Sequence, residues 1–110
     1  MSDTVTSYLE ERASATKAAE KLNDYIKAME SVVGALRNHR DTFHFTNLAN
    51  GHGILEGRVK MQKTQDARLF PTAEKIQDAL NDYWRASDAT WAAWKAMPES
   101  QRGGVQPPPA

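Results

Sequence analysis

The chain has 110 residues, with 14 basic and 14 acidic side chains, three histidines and no cysteine. That length fits one small domain, and zero formal charge removes bulk attraction to nucleic acid as a starting expectation. Without cysteine there is no disulfide framework, thiolate zinc site or thiol nucleophile, and no run of about 18 apolar residues is present to span a membrane.

The hydrophobic fraction is 40%, but 16 of those residues are alanine, and Leu, Ile, Val and Phe number only 18. That share lies under the roughly 20% at which chains drift toward disorder, whereas a balanced charge opposes disorder. Together they predict an ordered chain whose core is thin and needs a partner. The opening MSDTVTSYLEER has neither a basic n-region nor an apolar h-region. It therefore predicts a protein not exported by a signal peptide, resident in the cytoplasm or in a particle assembled there.

Residues 4–38 read as the first helix. Val5, Tyr8, Ala15, Ala19, Leu22, Ile26, Met29, Val33 and Leu36 form one stripe. From Ala15 its steps alternate four and three, the spacing of a heptad seam. Arg12 is the one charge on that seam, and Asp3 or Thr4 is the expected cap. Gly34 weakens the last turns by about 1 kcal/mol relative to alanine. The helix would be about 50 Å long.

Residues 39–70 are too many for a structureless loop. Residues 42–46, TFHFT, alternate with period two; residues 50–53, NGHG, signal a turn; and Leu55, Val59 and Met61 alternate with polar side chains. These predict a small β-ribbon, or else an extended excursion held by a partner. A helical turn over residues 64–69 would lead into Pro71.

A second helix is predicted over residues 71–97, with Pro71 in its first turn and Pro98 ending it. One core column holds Ala73, Leu80, Ser87 and Trp94, the other Ile76, Tyr83, Thr90 and Met97. Ala79, Ala86 and Ala93 line one flank, where a neighbouring helix can come close; Trp84 and Trp91 line the other. Trp94 is expected to meet the Ile26–Met29 region. The sequence thus divides into one helical-hairpin domain, residues 1–97, and a flexible Pro-rich arm, residues 98–110, with a polyproline II end.

Little in the chain resembles a catalytic template. GxGxxG, the phosphate-loop pattern, GxSxG and HExxH are all missing, so no cofactor and no enzymatic activity are expected. His39, His44 and His52, with acids nearby, are weak candidates for a metal site, but the five-residue step from His39 to His44 does not place two imidazoles on one helix face. Residues 37–75 carry seven basic and four acidic groups. Arg37, Arg40, Arg58, Lys60, Lys63 and Arg68, interleaved with Phe43 and Phe45, make nucleic-acid contact an alternative reading.

The aromatic residues of the second helix are the sharper feature. Trp84 and Trp91 sit one position off the seam and would stay partly wet in an isolated hairpin. In addition, a longer first helix leaves its N-terminal end, with Val5, Tyr8 and Leu9, without intrachain cover. Exposed apolar patches of this kind mark association sites, and tryptophan concentrates binding energy. The layout resembles secreted WXG-type hairpins, although no Trp-X-Gly stands in the bend. It also resembles, in size and plan, small helical phage head–tail or capsid-associated subunits. The expectation is a mainly α, antiparallel two-helix hairpin of coiled-coil type. It would act as a non-enzymatic assembly subunit, packing on copies of itself or on a larger protein through Val5, Tyr8, Leu9, Trp84 and Trp91.

Overall fold

The computed structural model describes residues 2–49 and 63–109. In chain order its elements are α1 (Ser2–Asn38), β1 (Phe43–Thr46), β2 (Lys63–Asp66), a 3-10 helix (Ala67–Leu69), α2 (Ala73–Ala96) and α3 (Glu99–Arg102). The fold is mainly helical, with two long helices of 37 and 24 residues, about 55 and 36 Å.

The chain forms two compact units, one made of Met1–Leu22 with Gln77–Ala110 and the other of Asn23–Ile76. In the first, α1 and α2 run antiparallel. Tyr8 packs against Trp94 with ring centroids 5.2 Å apart and planes tilted by 50°. Further along α1, Ala15, Thr16 and Ala19 share a pocket with Tyr83, Ser87, Thr90 and Trp91. Ser14, Lys17, Ala18 and Lys21 share a groove with Ala79, Asp82 and Ala86. Rising numbers on α1 therefore meet falling numbers on α2. Ala79 is buried at this contact, as expected of a flank of small side chains that lets a helix approach.

Trp94 meets Tyr8 rather than the Ile26–Met29 region, because in an antiparallel pair the last turns of α2 come opposite the first turns of α1. Nor is Tyr8 left bare. It is fully buried, and its hydroxyl donates to the carbonyl of Gln106. The residues after Pro98 supply this cover: α3 turns the chain, and an extended run through Gln106 brings Pro108 to a buried position. Thr4 Oγ1 donates to Gln101 Oε1 at 2.7 Å, and Arg12 Nη2 to Gln106 Oε1 at 3.1 Å. Arg12, the lone charge on the seam, thus has an acceptor brought by the tail.

In the second unit, α1 ends where the His39 carbonyl accepts from the Thr42 N–H at 3.0 Å and from its hydroxyl at 3.3 Å. The ribbon that follows is parallel: Phe43 stands opposite Lys63 and Thr46 opposite Asp66. Parallel strands cannot be joined by a tight hairpin turn, so this ribbon is not the one suggested by the turn signal at residues 50–53. That turn and the alternation over residues 55–62 lie outside the described residues. Residues 64–69, expected to form a helical turn, are divided between β2 and the 3-10 helix. Phe45 bridges Phe43 and Phe70 through edge-on contacts at 5.2 and 5.6 Å.

Both ends of α2 are anchored. Thr72 caps the start, its Oγ1 accepting from the Lys75 N–H at 3.2 Å. Pro71 therefore precedes the cap instead of lying in the first turn, and it is buried. At the C-terminal end Arg102 donates through Nε to the carbonyls of Trp94 (3.2 Å) and Met97 (3.0 Å), and through Nη2 to that of Lys95 (3.1 Å).

Candidate interaction surfaces

α2 carries three indoles, and helical spacing sends them to different places. Trp94 lies in the column that faces α1, between the Tyr8 ring and the Arg102 guanidinium, whose central carbon is 5.6 Å from the ring centroid. Trp84 and Trp91 are two turns apart and therefore on one face, and they are 52% and 40% exposed. Leu9 on α1 is exposed as well, whereas Val5 is half-buried. Of the five residues expected to meet a partner, Tyr8 has no surface to offer, because the tail occupies it. The signal for this was Arg12, a charge on an apolar seam that needed an acceptor.

Trp91 also borders a pocket of about 170 Å3 between α1 and α2, closed on one side by Pro108 and Pro109. Two hydroxyls of its lining are turned back onto their own helices: Thr16 donates to the Arg12 carbonyl at 3.1 Å and Thr90 to the Ala86 carbonyl at 2.7 Å. What remains is a mostly apolar recess without a charged side chain in its lining.

The basic middle segment is only partly assembled. Arg37, Arg40 and Lys63 are exposed, and Arg58 and Lys60 lie outside the described residues. Arg68 is engaged by Asp66, its Nε donating to Oδ1 at 3.2 Å and its Nη2 to Oδ2 at 3.1 Å. The same carboxylate accepts from the Arg68 backbone N–H at 2.9 Å, capping the 3-10 helix. These bonds, from the side chain and then the backbone of Arg68, hold the Asp66 carboxyl down at about 2, with a smaller contribution from the Asn47 side chain. The Arg68 guanidinium is raised by the same partner. The Arg68 side chain itself remains largely exposed.

Of the histidines weighed as metal ligands, His39 is exposed, His44 is half-buried in β1, and His52 lies outside the described residues. Among the described residues no group of three or more His, Cys, Asp or Glu comes together as a ligand set. No described helix is long and apolar enough to cross a membrane.

Compared with known proteins, the chain matches no protein-family model, no curated protein and no solved structure.

Proposed function

We propose that the chain is a non-enzymatic assembly subunit that binds protein, either copies of itself or a larger particle component, through the Trp84–Trp91 face of α2, with exposed Leu9 as a further apolar contact. The observation that carries this reading is the contrast within one helix. Trp94 is turned inward onto Tyr8 while Trp84 and Trp91, two turns apart, keep about half of their surface in water. Leaving about half of each indole exposed forgoes part of the roughly 1.5–3 kcal/mol that full burial of a large apolar side chain contributes. Such a pair is maintained most economically as the centre of a binding face.

The test is the mass of the native species. Light scattering and native mass spectrometry on the full chain from its own host should find it in a species larger than one chain. Trp84→Ala with Trp91→Ala should reduce that mass while leaving the far-UV circular dichroism helical. A folded monomer of unchanged mass in both proteins would refute the proposal.

A further inference from the structure

The residues after α3 lie in the groove between α1 and α2 as a strap. Gln106 accepts from the Tyr8 hydroxyl through its carbonyl, and from Arg12 Nη2 through its side-chain oxygen at 3.1 Å. Beyond it Pro108 is buried, and Pro108 and Pro109 border the recess beside Tyr83 and Trp91. Proline fixes φ at about −65°, so three in a row hold the strap close to a polyproline II path. Aromatic-lined grooves take proline-rich segments because that shape is preformed and costs little entropy on binding. Nothing in the closed form calls for glycine at the base of the strap: a Cβ on Gly103 or Gly104 would meet nothing closer than 3.8 Å. The pair instead makes a joint that opens readily.

Arg12 identifies the segment that the groove fits best. The strap gives this cation one neutral acceptor, and among the described residues no carboxylate pairs with it. Its Nε is buried and has no hydrogen-bond partner. A buried donor left unmade is costly, and more so on a charged group. Nε and Nη2 lie along one edge of a guanidinium, and Arg68 shows what that edge binds: its Nε and Nη2 take the two carboxylate oxygens of Asp66 at 3.2 and 3.1 Å. Gln106 has a single side-chain oxygen. The isosteric glutamate has two, matched to the fork and opposite in charge. The chain's own strap is thus an occupant of the right shape that leaves the charge of Arg12 unanswered.

We propose that the α1–α2 groove docks a partner's proline-rich segment that carries an acidic residue directly before its prolines. The carboxylate takes Nε and Nη2 of Arg12, and residues 104–109 are a strap that covers the site until such a segment displaces it. The proposal does not rest on the Trp84–Trp91 face. It is read by peptide affinity rather than by mass, so either can fail without the other.

The test uses the full chain with Pro107→Gly and Pro108→Gly, which loosen the strap. Two dye-labelled, C-terminally amidated peptides are titrated: GVQPPPA, the sequence of residues 104–110, and GVEPPPA. Fluorescence anisotropy should show GVEPPPA binding about tenfold more tightly than GVQPPPA, as a charge-assisted bidentate pair does over a neutral bond. Adding Arg12→Lys keeps the charge but not the fork, and should erase the difference. With the strap unaltered, GVEPPPA should bind more weakly, because the strap competes within the molecule. Equal affinities for the two peptides, a preference that survives Arg12→Lys, equal binding with and without the loosened strap, or no binding at roughly 1 mM each overturns the proposal. A second arm needs no peptide. Gln106→Glu in the otherwise unaltered chain should close the strap more firmly and raise the Tm by a few degrees, and Arg12→Lys should cancel the gain. A Tm unchanged by Gln106→Glu overturns the proposal equally.

Discussion

Asn47 and Asp66 show how single residues shape the middle of the chain. Asn47 closes β1 with φ of 56°, a left-handed conformation in which a side chain other than glycine, asparagine or aspartate is strained. Its side chain also bonds Asp66. Asn47→Val should therefore cost about 1–2 kcal/mol in denaturant unfolding, whereas Asn47→Gly keeps the backbone and loses only the bond to Asp66. Asp66 makes a pH prediction with a definite sign. Its carboxyl is lowered from 3.8 to about 2, chiefly by the Arg68 side chain, so the fold favours the ionised form. The stabilisation is complete above pH 3.8 and is lost as pH falls from there through 2. A carbon-detected titration of the Asp66 carboxyl should find its midpoint near 2, and Arg68→Ala should return it toward 3.8.

Arg102 is the element-scale counterpart. The last carbonyls of a helix have no partner within the helix, and for α2 one guanidinium answers those of Trp94, Lys95 and Met97 while resting on the Trp94 ring. Arg102→Ala should lower unfolding stability by about 1–2 kcal/mol, since water replaces part of what is lost. Arg102→Lys should recover only a fraction, because one ammonium cannot match a planar fork. The measurement is chemical denaturation followed through the indole fluorescence. Nothing in the sequence marked this residue, for a basic side chain in a Pro- and Gly-rich tail carries no periodic signal. The helices themselves were legible from their heptads to within two residues at each end. Which face each stretch of seam serves was not. Ile26, Val33 and Leu36 read as core but are exposed, while Val32 and Ala35, one step off the seam, are buried. A heptad records that some helix packs there, not whether that helix belongs to the same chain. The parallel ribbon was hidden for another reason. Local alternation marks a strand, but its partner and direction are set by contacts distant in sequence.

At the scale of the whole chain the question is where the missing core comes from. Only 18 residues are Leu, Ile, Val or Phe, and several of these, with two of the three tryptophans, are exposed. Small domains without disulfides commonly complete their core by association. Binding that favours the folded state raises apparent stability by mass action, so an associating chain has a melting temperature that depends on its own concentration. If association through the tryptophan face stabilises the fold, raising the concentration a hundredfold should raise the Tm by several degrees, because a dimer gains about 2.7 kcal/mol over that range. The Trp84→Ala, Trp91→Ala protein should flatten the dependence. Scanning calorimetry at matched scan rates provides the check. A Tm independent of concentration in the unaltered protein, with a reversible transition, would mean that each unit is stable with the core it has, and that the tryptophan face does not contribute to stability by binding another copy.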